Sequence, residues 1–330
     1  ALSSAASDVY KRQLMNPIAS LVLIRINGGT AMMRILGIVG VQICICVPII
    51  VFQFCKGKEF FSKEYWGYAL RIGIPIVPHY LSGIILNQGD RIMIDKMVGK
   101  TEVALYGLAY SIGMLVQLFI SGMNSALTPW MYSKIKKGDI RSMRKVLQLL
   151  SIVVVGIAVA LMLISPELVL IFGSPKYREA VYVIPPVAAS VFFIFIYNIL
   201  SMPQFYYEKT QFLMAASMAA AGANVVLNFI FIRLFGYIAA GYTTLACYML
   251  YSVGHYIVSK QILVNEGIQE NLMNPGFLLA CSVFLIGASI ICNLIFPYRI
   301  LRYAILLASA GLVFWKKELL LKTMADIRKK

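Results

Sequence analysis

The chain has 330 residues, of which 60% are hydrophobic and 13% charged, with a mean hydropathy of +0.79. Soluble domains run at about 45–50% apolar and about 25% charged, so a soluble enzyme, a disordered chain and a secreted disulfide scaffold are excluded and an integral membrane protein is implied. The formal charge of +16 does not point to nucleic acid, because the thirty Lys and Arg sit in short clusters between long uncharged runs, the pattern of membrane loops.

The polar start Ala1–Gln13 lacks an initiator Met and the charged-then-apolar order of a signal peptide. Residues 1–13 therefore read as a non-native scar. The uncharged run Leu14–Ile24 is shorter than the roughly 20 residues that cross a bilayer, so it reads as the end of a helix whose beginning is missing.

Uncharged runs then recur at Ile35–Cys55, Ile72–Gly89, Val103–Ser133, Val146–Pro166, Ala180–Tyr207, Thr210–Ile232, Leu234–Ser259, Asn271–Tyr298 and, more weakly, Tyr303–Trp315. They are continuously apolar and do not alternate, which predicts an all-α, polytopic transmembrane bundle of nine spans and no barrel strands. Basic clusters follow the first span (Lys56, Lys58, Lys63, Arg71), the third (Lys134, Lys136, Lys137, Arg141, Arg144, Lys145) and the last (Lys316, Lys317, Lys322, Arg328, Lys329, Lys330). Span parity places all three on one side, with eighteen basic residues there against eight opposite. The C-terminus is accordingly expected in the cytoplasm.

Polar groups in lipid are costly and tend to face one another or water. On the second span His79, Ser82, Gly83, Asn87 and Asp90 share one helical face. On the third, Tyr106, Tyr110, Gln117, Ser121, Asn124 and Thr128 continue such a stripe. Ser217, Asn224 and Asn228 on the sixth span and Thr244, Tyr248, Tyr251 and His255 on the seventh repeat it. Two readings stand: hydrogen-bond glue between helices, or the lining of a shared hydrophilic cavity, which four stripes together favour.

Asp90 follows Arg71 by nineteen residues, about 28 Å of helix, so the Asp90–Arg91 pair lies near the outer surface if Arg71 is at the inner one. It is either an interfacial anchor or a working pair, with Asp90 coupling transport to an ion and Arg91 meeting an anionic group. His79, inside an apolar span, is a second candidate for carrying a proton. Pro75, Pro78, Pro129, Pro185 and Pro186 mark expected bends. Glu167, Glu179, Lys176 and Arg178 read as ordinary charges of one outer loop. No nucleophile, base and orienter can be assembled, no phosphate-binding glycine loop is present, and two histidines with six scattered cysteines offer no metal site, so a non-enzyme without cofactor or metal is expected.

The run GIPIVPHYLSGIILNQGDRIMIDKMVGKTEVALYGLAYSIG (Gly73–Gly113) resembles the opening of the second half of bacterial polysaccharide flippases, the lipid-linked oligosaccharide exporters of the multidrug/oligosaccharidyl-lipid/polysaccharide superfamily. Pro75 and Pro78, Asp90 and Arg91, then Tyr106 and Tyr110 carry the likeness. Asn124, Pro129 and Tyr132 continue it, and so does NVVLNFIFIRLFGYIAAGYTTLACY (Asn224–Tyr248). Arg233 and Leu234 depart from it where a proline is usual, and Ala240–Gly241 inverts the familiar order.

The resemblance implies that residues 14–55 are the remnant of an N-terminal lobe, 56–71 a cytoplasmic linker, 72–264 the second six-helix lobe of a two-lobed flippase, and 265–330 two extra helices with a basic tail. About five helices would precede them in a complete relative. It further implies flipping of a polyprenyl-diphosphate-linked oligosaccharide across the bacterial cytoplasmic membrane by alternating access, in contact with membrane lipid and driven by H+ or Na+. The substrate pathway would be formed by Ser82, Asn87, Arg91, Tyr106, Tyr110, Gln117, Asn124, Asn224, Asn228, Tyr248 and Tyr251. A multidrug or cation antiporter of the same superfamily is the main alternative. A membrane polysaccharide polymerase, which would need a large outer loop, is a weaker one.

Overall fold

The computed structural model describes residues 15–26, 31–58 and 61–315. Both the segment expected to be a scar and the basic C-terminal tail lie outside them. Every regular element among the described residues is helical, as lipid demands of a backbone that must satisfy its own hydrogen bonds. The helices are α1 (Met15–Ile26), α2 (Ala31–Gly57), α3 (Lys63–Met97), α4 (Lys100–Gly113), α5 (Leu115–Lys136), α6 (Ile140–Phe172), α7 (Ile184–Tyr206), α8 (Thr210–Phe235), α9 (Ile238–Asn265), α10 (Pro275–Ile295) and α11 (Arg299–Trp315). A 3-10 helix, Pro175–Val183, leads into α7.

The described residues up to Leu70 and those from Arg71 onward form two compact units. In the first, α1 packs on α2 where Gly37 meets Ser20: a Cβ on Gly37 would stand 2.6 Å from the Ser20 backbone, and the Ser20 hydroxyl donates to the Arg34 carbonyl at 3.2 Å. Within the stretch expected as a linker, 56–71, α2 ends at Gly57 and α3 begins at Lys63.

The second unit is built around α7, where 18 of 23 residues are buried. Helices α9, α6, α5, α10 and α4 surround it, and α8 packs on α9. Gly241 lets α9 approach the start of α7, since a Cβ there would meet Pro186 at 3.1 Å. At the far end of α8, Gly236 (φ 74°) adopts the left-handed conformation that turns the chain into α9.

Three expectations are revised. Among the described residues six passages are long and apolar enough to span alone, and the α4–α5 pair, bent by 40°, makes seven. Of the other two, α9 has 28 residues but is diluted by Thr, Tyr and His, and α11 has 17 among the described residues. The bend in the third span lies at Met114 and not at a proline. It follows Gly113, where a Cβ would come within 2.7 Å of Val187 on α7. Pro75, Pro78 and Pro129 lie inside α3 and α5, and the pair Pro185–Pro186 occupies the first turn of α7, where a missing N–H breaks no helical bond.

The third revision concerns Glu167, read as a loop charge. It is within α6, and Arg302 is within α11. They form a two-pronged ion pair with both N–O distances 2.8 Å, and Arg302, 3% exposed, also donates to the Leu163 carbonyl at 2.6 Å. This clamp ties α11 to the bundle. At the opposite end Asp139 caps α6, accepting from Ser142 N at 3.3 Å and pairing with Lys134 at 2.6 Å. Arg141 pairs there with Glu270 at 2.5 Å, and Arg144 donates to the Asn271 carbonyl at 2.7 Å.

Candidate functional site

Polar stripes of α3, α4, α8 and α9 close onto one another inside the second unit. The buried face of α3 is set by Pro75, Ser82, Leu86, Asp90 and Ile94, a spacing of seven and then four residues that keeps one side inward while Ile74, Val77, Tyr80 and Ile84 face out.

Asp90 is fully buried and accepts hydrogen bonds from Tyr106 Oη (2.5 Å, α4), Asn228 Nδ2 (2.5 Å, α8) and Thr244 Oγ1 (2.7 Å, α9). All three donors are uncharged. Each bond to a charged acceptor contributes about 1.5–3 kcal/mol, which offsets much of the several kcal/mol needed to bury a carboxylate. Asn228 also donates to Asn224 Oδ1 at 3.1 Å and accepts from Thr243 Oγ1. Asn224 Nδ2, equally buried, has no partner among the described residues.

Three residues back along α3, Asn87 accepts from Tyr110 Oη (2.7 Å) and Tyr248 Oη (3.4 Å) while donating to the Gly83 carbonyl at 2.7 Å. Arg91 lies over the Tyr110 ring at 4.9 Å and donates to Gln88 at 2.5 Å. Its Nε is buried and unpaired among the described residues. Ser82 turns back to the Pro78 carbonyl at 2.7 Å, within its own helix.

At the other end of the seam, His79 Nδ1 lies 2.5 Å from Ser217 Oγ and 3.1 Å from Tyr251 Oη, which are themselves 2.9 Å apart. Tyr197 of α7 stacks against Tyr248, Tyr251 and His255, and Gln204 Nε2 reaches His255 Nδ1 at 2.8 Å.

The structure thus gathers His79, Asn87, Asp90, Tyr106, Tyr110, Asn224, Asn228, Tyr248 and Tyr251 in one seam. It does not bring Gln117 or Asn124 into it. Both lie on α5 beyond the break at Met114, where Gln117 Oε1 is buried without a partner among the described residues and the Asn124 carbonyl serves Thr128 at 2.8 Å. Sequence reading passed over Tyr197 and Gln204, because α7 is apolar nearly all round and presents no polar stripe. It left out Thr243 as well, although its place beside Thr244 was a signal. Among the described residues no three of His, Cys, Asp or Glu gather in a way that could hold a metal ion.

Residues 5–135 match the family model described as polysaccharide biosynthesis protein, and residues 75–230 match the model described as MatE. The chain is similar to an Lsg locus protein of Haemophilus influenzae, 28% identical over 172 residues, which are 49% of this chain and 41% of the relative. It is also similar to an uncharacterized membrane protein of Haemophilus influenzae, 29% identical over 167 residues, 47% of this chain and 40% of the relative. The chain thus spans about two-fifths of the length of these relatives. No solved structure matches it significantly. The two models overlap on α3 to α5, where the carboxylate and both leading tyrosines of the seam reside, and together the matches support a polysaccharide flippase-type family of the multidrug/oligosaccharidyl-lipid/polysaccharide superfamily.

Proposed function

We propose that this chain is part of a transporter that flips a polyprenyl-diphosphate-linked oligosaccharide from the inner to the outer leaflet of the bacterial cytoplasmic membrane, by alternating access. The observation that carries the reading is the seam itself: hydrogen-bonding groups from α3, α4, α8 and α9, running from Asp90 to His79 inside the bundle. Such groups can replace the hydration of a sugar, and Tyr106, Tyr110, Tyr248 and Tyr251 add aromatic faces on which sugar rings stack. Here the seam is closed on itself, so passage requires α3 to part from α8 and α9. Its side-chain bonds permit this more readily than close backbone packing would, since among the described residues α3 makes no extensive close backbone approach to its neighbours.

Asp90 is the candidate for ion coupling, with H+ or Na+ competing for the oxygens that Tyr106, Asn228 and Thr244 now hold. Arg91 is the candidate for attracting diphosphate. The turn bearing Lys134, Lys136, Lys137 and Arg141 is assigned to the cytoplasm, and with it the C-terminus. No bond in the cargo is broken in this mechanism.

Disruption of the gene should remove surface polysaccharide and leave the lipid-linked precursor in the inner leaflet, and a plasmid copy should restore export. The MatE match across Asp90 favours one second reading, a cation-coupled drug antiporter. A disruptant with normal polysaccharide and heightened sensitivity to cationic drugs would support that reading and refute the first.

A further inference from the structure

We propose that His79 and His255 form a binding site for a single proton, carried by His79, with His255 as the neutral neighbour that excludes a second. The two rings stand edge to face with centroids 6.5 Å apart, on α3 and α9. They are the chain's two histidines, 176 positions apart.

The hydrogen-bond directions decide which ring takes the proton. The Ser217 hydroxyl donates to the Leu213 carbonyl at 2.6 Å, so its oxygen is left to accept from His79 Nδ1–H and from the Tyr251 hydroxyl. His79 therefore carries hydrogen on Nδ1 whether neutral or charged, and its Nε2 can gain a proton without breaking any of these bonds. At His255 the situation is reversed. Gln204 Nε2 donates to Nδ1 at 2.8 Å, which puts the ring's own hydrogen on Nε2. A further proton would have to enter at Nδ1 and set two N–H groups against each other.

His255 Nε2, Gln204 Oε1 and Ser259 Oγ, all on residues at most 1% exposed, have no partner among the described residues. The titratable groups beside the pair are the phenols of Tyr197 on α7 and Tyr251 on α9, with the outward-turned Tyr80 ring 5.4 Å from His79. Helix α8 contributes the hydroxyl of Ser217 and no charge at this point. Two cations 6.5 Å apart at an effective dielectric constant of about 20 weaken the second proton's binding roughly a hundred-fold, about two pH units.

The test is nitrogen NMR of the full chain, labelled with 15N-histidine, in lipid nanodiscs between pH 8 and pH 5. Two ring signals are expected. One should start as the Nδ1–H tautomer and become imidazolium, while the other stays Nε2–H throughout. In the His255→Gln variant the titrating signal should persist. Both rings titrating together, neither titrating, or loss of the titrating signal in H255Q would overturn the proposal, and the unmodified chain alone decides the first two. Use of the proton in transport rests on the reading above. A chain that binds one proton in this way and exports nothing would refute that reading and leave this one standing.

Discussion

Asp90 of α3 and Asn228 of α8, 138 positions apart in sequence, meet in a 2.5 Å hydrogen bond at the end of the buried seam. With Tyr106 and Thr244 this bond gathers four helices on one carboxylate. Replacing Asp90 by Ala strands three buried donors and should cost about 3 kcal/mol in unfolding free energy. Asp90→Asn should cost no more than about 1 kcal/mol, because Asn228 can rotate its amide to face the new one, Asn224 can turn its own to offer the unpartnered Nδ2, and Thr243 keeps the Ala240 carbonyl at 3.0 Å. Denaturation in detergent checks both values. Export measured on the Asn variant then separates structural from coupling roles: a fold intact and export lost is the expected pair.

The clamp between Glu167 and Arg302 gives a second prediction. Truncating either partner leaves a largely buried charge uncompensated, and Glu167→Leu or Arg302→Met alone should destabilise by about 3–5 kcal/mol. The double variant should recover most of that loss. A double-mutant cycle by thermal unfolding measures the difference, and additive losses would show that the pair does not hold α11 to α6.

Asp139 caps α6 outside the membrane, and its hydrogen bond from Lys134 holds the carboxyl below the usual carboxylate range. A lowered folded-state value means that the stabilisation is present above the unfolded value near 4 and fades as pH falls towards and through the folded one. Asp139→Ala should therefore cost about 1 kcal/mol at pH 7 and progressively less below about pH 4. Unfolding measured at both pH values checks this, and a cost independent of pH would contradict it.

At Gly113 a side chain has no room. A Cβ would stand 2.7 Å from Val187 Cγ1 and 2.9 Å from Val187 Cβ, so Gly113→Ala should push α4 from α7 and cost about 1–3 kcal/mol. Pairing it with Val187→Ala should relieve the strain, and a thermal shift series over the three variants reads it directly.

Much of the seam was legible because polar residues spaced three and four apart in an apolar run mark a helix face turned away from lipid, as His79, Asn87, Asp90, Asn224 and Asn228 show. The same rule over-reached on the third span. Its stripe through Gln117 and Asn124 assumes one straight helix, whereas the chain breaks at Met114 under the close approach of Gly113 to α7, a tertiary cause with no local sign. Tyr197 and Gln204 escaped for the opposite reason, since α7 is buried on every side and has no polar face to mark. Glu167 looks like a loop charge until the fold pairs it with Arg302, 135 positions away.

The most direct measurement of the central claim uses the complete protein containing this chain, reconstituted in liposomes with a fluorescent polyprenyl-diphosphate oligosaccharide. Accessibility of the fluorophore to an external quencher reports the leaflet. Transfer between leaflets driven by an ion gradient, and lost in Asp90→Asn and Asn228→Leu proteins that remain folded, is the predicted result. Transfer at the wild-type rate in both variants, or none in the wild type under any gradient, would contradict the account.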